Sequence, residues 1–192
     1  MPAFTPCPLV PRAMFFTTGI GSHAWELRAH SLMYMAAGLG PTNRVYVSSR
    51  VPPQCELLER SEGVGLLQDG QIIFAVQAMA QTQIPGARIA TAVGIAVPED
   101  GGLGCVAEVL EDDALGKTGA QAAEKAVLMA LAAMAIELGE HDYIPPSTWS
   151  PGSDETVRIG DRLIRTQAVS AEATGPDNGD WVKALAALVF LF

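Results

Sequence analysis

Residues 43–53 read NRVYVSSRVPP, a short strand that runs into Ser48 and Ser49 and then stops against Pro52 and Pro53. Two successive prolines fix φ twice and push the residue before them out of the helical region, so the chain after Ser49 is stiff. A stiff flank is what a strained scissile bond needs, and the sharper reading of the serine pair is a peptide bond held for its own chemistry. The plainer reading is a strand that ends in a polar turn. The pair alone does not decide between them.

Other residue types that do chemistry fall into no working arrangement. His23, His30 and His141 lack metal-ligand spacing and read as surface or helix residues. Cys7, Cys55 and Cys105 are far apart, with no CxxC and no Cys/His cluster, which argues against zinc and against a disulfide framework and fits a reducing cytoplasm. TGIGS at 18–22 lacks the lysine and the glycine set of a phosphate loop, GVG at 63–65 is weaker, and no GxSxG elbow is present.

The elements that must position the serine pair come from hydropathy and turn residues. Residues 13–21 read as a strand ending in a Gly-x-Gly turn. Residues 24–40 read as an amphipathic helix with Leu27, Leu32, Met35 and Leu39 on its apolar face and a glycine stop. Strands follow at 44–48, 70–81, 87–98 and 104–111, the last two joined by the turn PEDGGLG. Thr118 and Gln121 form a capping box for a helix that ends at Gly139 and is apolar nearly all round, hence buried on more than one side. Residues 156–173 read as a strand or hairpin, 180–192 as a strand or short helix, 1–13 as an extended arm and 143–154 as a loop. The whole is one α+β domain, a layered sandwich.

Composition narrows the function. Of 192 residues, 49% are hydrophobic and only 17% charged, and an oligomer interface is the simplest place for the surplus apolar surface. A formal charge of −9 disfavours nucleic acid as a partner. The prolines near the N-terminus interrupt any export signal. The apolar run in the 119–138 helix and the closing WVKALAALVFLF are shorter than the roughly 20 residues of a membrane span.

With these elements in order, GLGPTNRVYVSSRVPP resembles the processing site of the pyruvoyl-dependent arginine decarboxylases. There a glycine-terminated helix leads to an asparagine, a strand, a serine pair and a Pro-Pro. IPGARIATAVGIAVPED and CVAEVLE resemble later stretches of that family, and the similarity runs from about residue 14 to the end. The resemblance implies a layered sandwich of mostly antiparallel sheets flanked by helices. It also implies self-cleavage between Ser48 and Ser49 into chains 1–48 and 49–192, with Ser49 becoming a covalent pyruvoyl group.

Further implications concern the site. The pyruvoyl group would form a Schiff base with an amino-acid substrate, L-arginine first, and draw electrons as CO2 leaves to give agmatine. Glu108 would be the acid that protonates the carbanion. Its apolar neighbours would raise its pKa if it faces inward, and strand alternation also permits a solvent-facing side chain. Asn43 would hold a carbonyl or the substrate, and Ser48 would present a new carboxylate. The helix position that carries the guanidinium-binding acid in the family falls on Ser31, which is neutral; Glu26 and Asp112 are the acids that could compensate. Arg50 stands where the family usually has an aliphatic residue, and its charge would oppose a cationic substrate unless it points away or meets an acid. The family's trimers, with sites between subunits, would use the surplus apolar surface. A non-catalytic assembly subunit and a pyruvoyl decarboxylase for a different amino acid are the competing readings.

Overall fold

The computed structural model describes residues 9–110, 114–145 and 156–192. In chain order the elements are β1 (Ala13–His23), α1 (Glu26–Ala36), β2 (Asn43–Tyr46), β3 (Arg50–Val51), β4 (Glu56–Leu58), α2 (Arg60–Gly65) and β5 (Ile72–Thr82). They continue as β6 (Arg88–Pro98), β7 (Gly104–Val109), α3 (Gly119–Glu137), β8 (Thr156–Ile159), β9 (Arg162–Thr174) and β10 (Trp181–Leu191).

The strands make two five-stranded sheets, β2-β5-β10-β1-β4 and β3-β7-β6-β9-β8. The second is antiparallel throughout; the first is antiparallel at its centre and gains β2 and β4 as parallel edges. This is the expected sandwich of mostly antiparallel sheets flanked by helices. Side chains alternate across each strand, so every central strand has two apolar faces to bury. Met14, Phe16, Val76, Leu188 and Phe190 from the first sheet meet Val93, Ile95 and Val106 from the second. On the outer face of the first sheet, Phe15, Leu185, Ala187 and Val189 pack on Met33, Tyr34 and Ala37 at α1. On the outer face of the second, Ala96, Cys105 and Ala107 pack on Val127, Leu131 and Met134 of α3. The order of layers is helix, sheet, sheet, helix.

Several sequence expectations are corrected here. Gly19 and Gly21 do not turn the chain; they lie inside β1, opposite Leu185 and Lys183. A Cβ on Gly19 would stand 2.1 Å from the Met33 carbonyl oxygen, and one on Gly21 2.2 Å from that of Ala29. The glycines therefore admit the α1 backbone against the strand. The helix buries the face that fits such close approach, Ala29, Met33 and Tyr34. The stripe expected to face inward is left outside, with Leu27 76%, Leu32 41% and Met35 67% exposed, and only Leu39 of the four is buried.

Helix α3 has the expected capping box, with the Thr118 side chain accepting from the Gln121 N–H and the Gln121 side chain from the Thr118 N–H. It buries one face rather than several: Ala122, Ala126, Val127, Ala130, Leu131 and Met134 are covered while Leu128, Met129 and Ile136 are exposed. By length and composition the whole helix is long and apolar enough to cross a membrane; here its apolar face covers the second sheet. Residues 156–174 form a hairpin, and 181–191 form a strand at the centre of the first sheet. Most of the expected loop at 143–154, and residues 1–8 of the expected arm, lie outside the described residues. Elements β3, β4 and α2 have no counterpart in the expectations.

Candidate active site

Strand β2 belongs to the first sheet and β3 to the second, and Ser48–Ser49 is the link between them. On one side the Val47 N–H donates to the Ala75 carbonyl at 3.2 Å, still within the first sheet's ladder. On the other side the Ser49 carbonyl accepts the Val106 N–H at 3.0 Å, already in the second. Between these anchors the Arg50 N–H donates to the Ser48 carbonyl at 2.9 Å, closing a three-residue turn around Ser49. The strand of the opening motif ends at Tyr46 because the chain changes sheets there, and the change is made at the serine pair.

The register gives each side chain a face. Arg50 pairs with Cys105 and Val51 with Gly104. Carried back one residue, Ser49 stands opposite Val106, a member of the core between the sheets. Glu108 lies two residues beyond Val106 and opposite Val93, another core member, so it projects from the same face. Diagonal neighbours of this kind have Cα atoms about 7–8 Å apart and long side chains bridge them. Of the two orientations open to Glu108, the structure has the inward one. The carboxyl is half-buried, and desolvation raises its pKa above the ordinary value.

Arg50 projects the opposite way. Its guanidinium pairs with Glu137 in the last turn of α3 and lies 3.4 Å from the Cys105 sulfur. The positive charge next to Ser49 therefore points out of the inter-sheet face and meets an acid. Burial raises the Cys105 thiol pKa, with the Arg50 charge acting against that rise. Beside the serine pair lies a cavity of about 260 Å³ whose lining includes Val47, Ser48, Phe74, Phe190 and Phe192, and Arg50 as well. Among the described residues no acidic side chain lines it.

Two expected site residues lie elsewhere in the chain. Asn43 opens β2, at the end remote from Ser48, and its side-chain amide donates to the Gly70 carbonyl at 3.0 Å. Ser31 is on the outward side of α1, its hydroxyl bonded to the Leu27 carbonyl at 3.0 Å. It sits one turn from Leu27 and one from Met35, within the exposed stripe. Neither residue meets Ser49 within one chain. Glu26 is held by Lys183 at 2.8 Å, and Asp112 lies outside the described residues. His23 accepts the Trp25 N–H at 2.9 Å and His30 packs edge-on against Tyr34. Among the described residues no group of three His, Cys, Asp or Glu side chains could hold a metal ion.

Glu137 is the neighbour that the sequence reading did not single out. An acid in the last helical turn opposes the helix dipole. That placement signals a cationic partner from another element.

Comparison with known proteins bears on this geometry. The family profile described as "Pyruvoyl-dependent arginine decarboxylase" matches residues 13–192. The chain is 32% identical over 183 residues to the pyruvoyl-dependent arginine decarboxylase of Nitrosopumilus maritimus, spanning 95% of this chain and 98% of that protein. It is 28% identical over 184 residues to pyruvoyl-dependent arginine decarboxylase 1 of Methanosarcina acetivorans, spanning 95% and 97%. It is also 32% identical over 182 residues to the probable pyruvoyl-dependent arginine decarboxylase of Chlorobium luteolum, spanning 95% and 98%. The serine pair at the crossing of the two sheets thus occurs in a chain that belongs to the pyruvoyl-dependent arginine decarboxylases, carboxy-lyases whose cofactor is a covalently bound pyruvoyl group.

Proposed function

We propose that the chain cuts itself between Ser48 and Ser49 and decarboxylates an amino acid, L-arginine first, to the amine and CO2. The observation that carries this reading is the link itself: a serine pair held between two sheets, with its carbonyl already hydrogen-bonded. The Ser49 hydroxyl attacks the Ser48 carbonyl carbon; a C–O bond forms, the C–N bond breaks, and the hydroxyl proton passes to the Ser49 nitrogen. β-Elimination then removes the Cα proton of residue 49 and expels the Ser48 carboxylate. The resulting dehydroalanine takes up one water and releases ammonia, leaving a pyruvoyl group at the head of 49–192.

The residues present fit such a group, since the position faces a desolvated carboxyl and has a cavity beside it. When formed, the pyruvoyl group supplies the carbonyl that takes up the substrate amine and the electron sink for loss of CO2. Glu108, whose desolvation favours the protonated form, is the acid placed to supply the proton that replaces the carboxylate on the substrate α-carbon. Val47, Phe74, Phe190 and Phe192 give the substrate chain an apolar wall.

Arginine needs an acid for its guanidinium, and among the described residues the cavity has none in its lining. The exposed stripe of α1, with Ser31 and Leu27 and Met35 on either side, fits a contact with a second copy, as in a trimer with sites between subunits. Asn43 is the polar group on β2 that could be lent or received across such a contact. A cytoplasmic site of action fits Cys55 and Cys105, which are free thiols among the described residues. The neutral Ser31 favours a second reading, a pyruvoyl decarboxylase for a different amino acid.

The test is the intact mass of the denatured protein. Two chains breaking at Ser48/Ser49, the larger blocked at its N-terminus, are expected, with Ser49→Ala remaining whole. A single uncut chain after prolonged incubation overturns the enzyme reading and leaves an assembly subunit. Release of CO2 from labelled arginine, compared with ornithine, lysine and aspartate, separates the two substrate readings.

A further inference from the structure

The turn around Ser49 has a feature that self-cleavage can use. As Ser49 Oγ adds to the Ser48 carbonyl carbon, the Ser48 oxygen takes on negative charge. The group already donating to that oxygen is the Arg50 N–H, at 2.9 Å. A donor in place before charge develops is worth more than one that must be recruited, and loss of one such donor elsewhere costs on the order of 10²–10³ in rate. The hydrogen bond lasts only while residue 50 keeps its place; the Ser49 carbonyl of the same peptide unit is anchored by the Val106 N–H at 3.0 Å, and β3 beyond it is only two residues long. What holds residue 50 from the other side is its own side chain, bound to Glu137 of α3 and resting on Cys105 of β7. Helix α3 is in turn fixed to the second sheet by Val127, Leu131 and Met134.

We propose that the Arg50–Glu137 ion pair is a positioning device for the first step of self-cleavage, holding the Arg50 N–H on the Ser48 carbonyl as it becomes an oxyanion. The inference rests on the self-cleavage reading above. Arg50 and Glu137 touch no reacting atom through their side chains; they act through the main chain of residue 50. An aliphatic residue at position 50 can be held there by packing alone. The arginine needs its acid, because an unpaired guanidinium has no such hold on the helix and is drawn to solvent.

Freshly translated parent, Glu137→Gln, Arg50→Ser and the exchanged pair Arg50→Glu with Glu137→Arg are followed by intact mass as the two chains appear. The parent is expected to split. Each single variant is expected to split roughly two- to fivefold more slowly, because the pair is 48% and 41% exposed and exposed pairs hold weakly, and the exchanged pair to recover most of the rate. Hydroxylamine, which cleaves the serine ester directly, discriminates the step. It is expected to leave the single variants slow, because the ester itself forms slowly. Restoration of the parental rate by hydroxylamine would mean that the ester forms normally, and would overturn the proposal. Parental rates in both single variants, or an exchanged pair no faster than either, overturn it as well. Since misfolded single variants would also split slowly, the exchanged pair is the deciding sample: it restores the contact without restoring either native residue. A parent that stays whole rejects self-cleavage itself, a result distinct from all of these.

Discussion

Glu108 owes its properties to two things legible at different depths. Its apolar neighbours in CVAEVLE are visible in the sequence, and they account for the raised pKa. Its direction is not, because alternation along β7 fits either face until Val106 and Val93 are known to be core. If Glu108 donates the proton, Glu108→Gln should lower decarboxylation by about 10²–10⁴-fold while substrate binding changes little. The acid acts protonated, so kcat of the parent should fall as pH rises through its pKa, which desolvation raises above the ordinary value. The rate–pH profile of Glu108→Gln should lack that fall; an unchanged limb would assign it to another group. The serine pair was legible as an anomaly because two prolines follow it. The partner of Arg50 was not, since 87 residues separate it from Glu137 and no periodicity links β3 to the last turn of α3.

At the scale of elements, the long strands and the capped helix announce themselves, whereas close approach between layers is written in glycine and misleads a local reading. Gly19 and Gly21 suggest a turn because glycine is a common turn residue, yet in β1 they are absences of side chain that α1 fills. The helix then follows its small residues inward, and its large ones are left outside, against what hydropathy alone suggests. Gly94 does the same service on the other side: a Cβ there would be 2.8 Å from the backbone of both Ala126 and Val127 in α3. Gly94→Ala should therefore destabilise the fold by about 1–3 kcal/mol through overpacking. A urea titration would register this as a lower midpoint at unchanged slope. An unshifted midpoint would mean that α3 can lift off the sheet at no cost, contrary to the packing described.

For the whole molecule, the surplus apolar surface inferred from composition has an address in Leu27, Leu32 and Met35 on α1. Replacing Leu27 and Met35 with glutamate should shift sedimentation from an oligomer to a single copy, and arginine decarboxylation should fall with it if sites lie between subunits. Retained oligomers in that variant would move the interface to a different face. The order of strands in the first sheet has a different consequence. Strand β1, from before the serine pair, lies between β10 and β4, both from after it, and β1 pairs with β10 along its whole length. A cut at Ser48–Ser49 leaves this weave untouched, so the pieces stay together without any covalent bond. It also removes the tether by which the strands first found each other. Dissolved in denaturant and diluted back, the uncut Ser49→Ala chain should recover by a first-order process. The processed protein should recover only as fast as its two pieces collide, and in dilute solution hardly at all. The active form would then be a shape that its own two strands of sequence can keep but no longer readily find.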